Sequence, residues 1–410
     1  MNSDTLNDRN LERRILFPPA GPHLTYGTFA GPLVPFDNLD ANIPLLEFGI
    51  NDQELNWLGE LFKLKNPCKI KYKPIEEVVK GIMEAETPIE LDNYDLRVSA
   101  SGARQAIIDS LTQLVSTDRP LVAYASPNWS FDIITSHVPG ASRNPFFAFD
   151  ENSFVSGFSQ LPNKNKIAAV ILVDPANPLG YRFGRKHIQE IERIAKQNGI
   201  VPIFDDAFRG LQAPGERHSS SEYSNNSIIV ETTSKRFGIK GIGVTWTLTP
   251  KTLNLPSLPS IRNECEGCSG TASLITDALY STGYDTRIRS RLVTATDALI
   301  RGAADGFENF KDPGSFTKGF EGMPIIIYHL PNLAYKNFEG TLERISNEIG
   351  VTSGLNWMCD YEKRTATNQI SQEEVIHALS YMRICPTKEN PARLYVAGRK
   401  LAEIIKTSEK

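Results

Sequence analysis

With 410 residues and a formal net charge of -4, the chain is too long for one small core and too weakly charged to act as a nucleic-acid or membrane-surface binder. Its five cysteines, an odd number, make no disulfide framework and point to a reducing cytoplasm. Residues 1–14 lack the apolar core of a signal peptide and no apolar run reaches spanning length, so a soluble protein without membrane or nucleic-acid partners is expected.

In chain order, residues 1–65 read as a loop-rich arm that also supplies part of a smaller domain, broken by Pro18-Pro19-Ala20-Gly21-Pro22 and Gly31-Pro32. Residues 66–285 read as a large domain. It begins with a helix over 75–86, whose Ile75, Val78, Val79 and Ile82 share one side. A strand over 96–100 leads through Ser101-Gly102 into a helix over 103–114. Apolar strands are then predicted at 121–124, 168–173, 201–204, 228–231 and 243–248, with a helix over 186–197. Near-continuous apolar strands separated by helices imply a mostly parallel sheet covered on both faces. Residues 286–410 read as a linking helix, 286–310, followed by a small α+β domain. That domain holds a strand over 323–328, helices near Leu342 and Glu373, and a closing segment over 391–398.

Ligands in such sheets sit at the carboxyl ends of the strands, and polar residues gather there in this chain. Lys235 ends the run Ile228-Ile229-Val230-Glu231-Thr232-Thr233-Ser234; a lysine forms an imine readily when burial lowers its amine pKa. Asp205, in Phe204-Asp205-Asp206-Ala207-Phe208, suits a pyridine nitrogen, and strand alternation turns Asp206 the other way. Asn177, in an Asn-Pro turn, suits a ring oxygen, and Trp129 suits the ring face. Ser101, Gly102 and Ala103 open a helix whose free N–H groups suit a phosphate, with the Thr232 hydroxyl beside them. Arg393 suits a substrate carboxylate held by a two-pronged guanidinium. A ring with an aldehyde, a basic nitrogen, a phenolic oxygen and a phosphate is pyridoxal 5'-phosphate. Cys265 and Cys268 form a lone CxxC, read as ordinary thiols, and the six histidines show no metal-ligand spacing.

Over residues 72–393 the order and spacing of these segments resemble the class I/II aminotransferase family, fold type I of the pyridoxal-phosphate enzymes. The resemblance implies an aspartate-aminotransferase-like α/β fold. It implies Lys235 as the imine-forming lysine that moves the substrate Cα proton, and an L-amino acid giving its amino group to a 2-oxo acid. It also implies Tyr72 reaching the phosphate of a neighbouring subunit, so that a homodimer shares its active sites. Two positions depart from the family's pattern. Phe208 stands where a cofactor-contacting tyrosine is usual, and Gly243 stands where a phosphate-binding arginine is usual, with Arg236 or Lys240 as substitutes. Phe208-Arg209-Gly210 is similar to a branch that includes oxygen-using arginine oxidases and hydroxylases. The alternative chemistry is therefore a carbanionic intermediate that meets oxygen, loses a β- or γ-substituent or cyclises in a biosynthetic pathway. Tyr26, Phe29 and the acids near Asp40 are expected to wall the substrate pocket.

Overall fold

The apolar runs form the sheet they imply. The computed structural model describes residues 73–408 except 101, 130, 218, 239–242, 257–265, 309–313, 331–339, 342–343, 346–347, 350–351, 354–376, 379 and 387–390. Tyr26, Phe29, Asp40, Tyr72, Ser101, Lys240, Leu342 and Glu373 therefore lie outside the described residues.

Among the described elements, helix α1 (Ile75–Glu86) precedes strand β1 (Tyr94–Ser99) and helix α2 (Gly102–Leu114). Then come β2 (Leu121–Ser126), α3 (Phe131–Ser136), β3 (Ser142–Phe147) and α4 (Glu151–Gln160). They are followed by β4 (Ile167–Val173), α5 (Arg185–Asn198), β5 (Val201–Asp205), β6 (Ile228–Thr232), the single turn α6 (Thr233–Arg236) and β7 (Thr245–Pro250). These strands build one sheet in the order β1-β7-β6-β5-β4-β2-β3. Pairings from β3 through β2, β4 and β5 to β6 are parallel, while β7 runs antiparallel to both β6 and β1. The sheet is thus mostly parallel, as its continuous apolar strands require when both faces are covered.

One face packs Ile107, Leu111, Val122, Ile171 and Val230 under α2 and α3. The other packs Val170, Leu172 and Phe204 against α4 and α5. Helix α5 buries Ile188, Ile191, Ile194 and Ala195 along one stripe and ends at Gly199, whose φ of 63° closes it. Between β2 and β4, three elements were not expected from the sequence: α3, β3 and α4. Strand β3, Ser-Arg-Asn-Pro-Phe-Phe, lies at the edge of the sheet and, among the described strands, pairs with β2 alone. An edge tolerates the missing N–H of Pro145, so the strand carries little of the usual apolar signature.

After α7 (Glu266–Ser281) the long helix α8 (Tyr284–Gly306) begins two residues earlier and ends four earlier than the predicted 286–310. A second sheet, β10-β11-β9-β8, is built from β8 (Ser315–Thr317), β9 (Ile326–His329), β10 (Thr352–Ser353) and β11 (Tyr381–Ile384). Its inner face packs Ile326, Tyr328, Met382 and Ile384 against α8 and the last helix, α9 (Pro391–Ser408). The predicted closing segment at 391–398 is the first half of α9. The two sheets meet through an apolar cluster in which Phe208, Leu211 and Phe237 touch the layer holding Tyr284, Ile288, Met323, Ile327 and Cys385. Among the described residues no helix is long and apolar enough to cross a membrane.

Candidate active site

The turn after β6 is held by hydroxyls. Thr232 caps α6 by accepting the Ser234 N–H at 3.2 Å, and its hydroxyl also meets Val244 O and Thr245 Oγ1, each at 3.1 Å. Thr233 Oγ1 accepts the Val244 N–H at 2.9 Å. These bonds fix the backbone that carries Lys235, which is half-buried and extends to 6.0 Å from the ring centre of Trp129. Thr232 is 3 % exposed, so its hydroxyl serves the turn instead of standing free for a phosphate. Ser234, half-buried, accepts the Thr232 hydroxyl at 3.1 Å.

Asp205 ends β5, beside Val230 of β6 and Val173 of β4. Its carboxylate is buried and accepts the Ala207 N–H at 3.2 Å. Burial raises its pKa to about 6, against the lowering pull of that N–H and of Lys235. Asp206 turns to the other side, where Ser219 and Ser221 donate to it at 2.7 and 2.6 Å. Burial pushes its pKa up to about 8, the Ser221 bond opposing and the charge of Asp174 adding. Alternation thus separates the pair into one acid in contact with the lysine's field and one locked in a serine cradle.

Asn177 lies four residues past the end of β4, in a turn with cis bonds at Asp174-Pro175 and Asn177-Pro178. It is 8 % exposed and its Oδ1 makes no hydrogen bond, as is also true of Nδ2 of Asn128, beside Trp129. Buried amide atoms without partners are costly and mark a place for a ligand. An acid able to face a ring nitrogen, an unsatisfied amide, an indole and a half-buried lysine all follow neighbouring strands at one sheet edge. This donor set fits pyridoxal phosphate. Phe208 sits differently from the cofactor contact expected of it. Its ring, 3 % exposed, belongs to the apolar cluster between the two sheets.

The phosphate end differs from the sequence reading in two further ways. Arg236 is fully buried and committed to carboxylates: its Nη1 donates to Glu86 at 3.0 Å and its Nε to Asp285 at 3.0 Å. It does not replace the arginine missing at 243. Gly243 itself has no room for a side chain, because a Cβ there would lie 2.8 Å from both Ser234 Oγ and Thr233 Oγ1. Gly243→Ala is accordingly expected to cost about 1–3 kcal/mol by overpacking and to weaken cofactor retention through the displaced turn. Urea unfolding and the absorbance retained after dialysis check both effects.

Two arginines of the C-terminal part differ in setting. Arg393 is exposed on the first turn of α9, whereas Arg383, which the sequence reading passed over, is 3 % exposed on β11. Met382 and Ile384 face the α8–α9 core. Tyr381 and Cys385, on the opposite face, pack toward Phe208 and Phe237, and alternation puts Arg383 between them. Burial pushes the Cys385 thiol up, while Arg383 and Lys235 both pull it down. Both cations thus act on this one thiol. Burial lowers the pKa of Arg383 in turn, the Cys385 charge opposing.

Comparison with known proteins supports the same reading. The family profile "Aminotransferase class I and II" matches residues 85–282. LL-diaminopimelate aminotransferase of Protochlamydia amoebophila (strain UWE25) is 24 % identical over 203 residues, 47 % of this chain and 49 % of that one. Aspartate aminotransferase of Bacillus sp. (strain YM-2) is 24 % identical over 186 residues, 44 % of this chain and 42 % of that one. The chain thus spans about half the length of these relatives in the matched region. The kynurenine aminotransferase structure from Pyrococcus horikoshii superposes with a TM-score of 0.65 at 15 % identity, covering 100 % of this chain and 98 % of that one. That likeness shows the fold type.

Proposed function

We propose that this chain, a divergent member of the class I and II aminotransferase family, transfers the amino group of an L-amino acid to a 2-oxo acid with pyridoxal 5'-phosphate. The observation that carries the reading is the placement of Lys235 over the Trp129 indole, within the field of a buried Asp205 carboxyl. The cofactor, when bound, supplies an aldehyde for the amine and a protonated ring that takes up electrons.

The chain's own groups do the rest. Asp205 holds the proton on the ring nitrogen; its burial strengthens that charge-assisted bond. Asn177 would donate its amide N–H to the phenolic oxygen. Trp129 covers one ring face. Lys235, half-buried, moves the proton at the substrate Cα. Arg383 grips the substrate carboxylate from the second sheet, a role first sought at Arg393. A homodimer in which Tyr72 of a neighbouring copy completes the phosphate contacts, working in the cytoplasm in amino-acid biosynthesis, belongs to the same proposal.

Replacing the grip tests it. Arg383→Gln is expected to weaken amino-acid binding about ten- to a hundredfold, the worth of a charge-assisted pair of hydrogen bonds. Cofactor binding should stay as it was, and Arg393→Ala should change neither. Steady-state KM and a cofactor titration distinguish these outcomes; equal loss of substrate and cofactor affinity in Arg383→Gln would reassign it. The reaction itself is tested by mixing holoenzyme with a panel of L-amino acids, with and without oxygen. Formation of pyridoxamine phosphate, reversed by 2-oxo acids, supports transfer. Oxygen uptake, or elimination without pyridoxamine phosphate, overturns it in favour of the alternative chemistry.

A further inference from the structure

Among the described residues, neither position first expected to hold the phosphate of the proposed cofactor supplies a cation, because Gly243 admits no side chain and Arg236 is spent on Glu86 and Asp285. We propose that Arg104 supplies that cation, an inference that rests on the cofactor reading above. The placement follows from the sheet. Strand β1 ends at Ser99, opposite Thr245 of β7, and Thr245 pairs in turn with Thr232 at the end of β6. The chain leaving β1 therefore enters α2 beside the turn that carries Ser234 and Lys235. Gly102, with φ of 81°, opens that helix in a conformation that bares its first N–H groups.

Arg104 projects from the first turn of α2, and its guanidinium carbon lies 4.9 Å from the ring centre of Trp129. Lys235 Nζ rests on the same ring at 6.0 Å. One indole thus gathers the lysine meant for the aldehyde and a guanidinium at the helix start, with the unsatisfied Asn128 amide adjoining. Arg104 is exposed, so it reaches a phosphate at little desolvation cost, and its planar fork matches two phosphate oxygens. The usual guanidinium would then have been moved from the strand after the lysine to the helix that opens the site.

The test separates phosphate recognition from support of the indole. Apo-protein is titrated with pyridoxal phosphate and with pyridoxal, which lacks the phosphate, following absorbance and tryptophan quenching. Arg104→Gln is expected to weaken pyridoxal phosphate about ten- to a hundredfold while leaving pyridoxal unchanged, with Arg104→Lys falling between. Inorganic phosphate should compete with the cofactor less well in the glutamine variant. Equal weakening of both ligands would make Arg104 a prop for Trp129, and no change in either would remove it from the site; each result overturns the proposal. If the unsubstituted protein binds neither ligand, the cofactor reading itself falls and this inference with it. The apo-protein melting point, unaffected by substitution of an exposed side chain, guards against misfolding.

Discussion

Lys235→Ala is expected to abolish both the visible absorbance of the cofactor-loaded protein and amino-group transfer, while leaving the fold in place. The side chain is half-buried and contributes little to the cluster beneath it, whereas the capping bonds of Thr232 and Thr233 that shape its turn are made by other residues. Loss of the proton-moving amine alone costs about 10²–10⁴-fold in rate, and loss of the covalent anchor adds to that. Lys235→Arg keeps the charge over Trp129 yet cannot form the imine, so it should be as colourless as the alanine variant. Absorbance, single-turnover kinetics and circular dichroism on the same preparations check the three statements. A coloured, active alanine variant would move the anchor elsewhere and end the present account of the site.

Much of this site was legible because each residue ends a strand whose apolar run announces itself. Ile228–Val230 leads to Lys235, Val201–Phe204 to Asp205, and Ile167–Val173 to Asn177; an edge of parallel strands must collect such residues. Asp205 and Asp206 were separable because their alternation is a property of the strand alone. What escaped depended on contacts between distant segments. Gly243 reads only as a missing arginine until Ser234 is seen 2.8 Å from its missing Cβ. Arg383 was overlooked although its signal is local: an arginine within Tyr-Met-Arg-Ile-Cys interrupts buried strand residues, and buried arginines are rare without a purpose. Arg393 drew the assignment through the resemblance, which was placed on Ala-Arg-Leu-Tyr-Val-Ala-Gly. Arg236 was offered as a substitute phosphate cation, since its partner Glu86 lies 150 residues away in the chain.

That same separation makes Arg236 the position where one substitution should cost the fold most. Arg236→Met is expected to lower stability by about 3–5 kcal/mol, because removing one partner of a buried ion network strands the others. Arg236 lies under the lysine turn and joins three remote segments. It bonds Glu86 at the end of α1 and Asp285 at the start of α8, while Arg217 bonds Glu86 and, at 2.6 Å, Asp285. Arg209 extends the cluster to Glu231 of β6 at 3.1 Å. Methionine fills much of the volume, so the loss would come chiefly from charge: the two carboxylates would keep Arg217 as their bonded guanidinium.

The pH dependence should show this. Burial raises the pKa of Glu86, but the hydrogen bond and charge of Arg236, with Arg217 and Arg209, bring it below its ordinary value on balance. A carboxylate with a depressed folded pKa adds stability above its unfolded value of about 4.3. That contribution is lost as pH falls through the folded pKa. In Arg236→Met the Glu86 pKa rises, so the deficit against the unsubstituted protein should be largest at neutral pH and shrink in acid, where a protonated Glu86 no longer needs the missing guanidinium. Urea unfolding at pH 7 and at pH 4 measures both ends. A deficit below about 1 kcal/mol at pH 7, the scale of an exposed pair, or one that grows on acidification, would mean that the turn bearing Lys235 is held by its hydroxyl caps and apolar packing instead of by the ions beneath it.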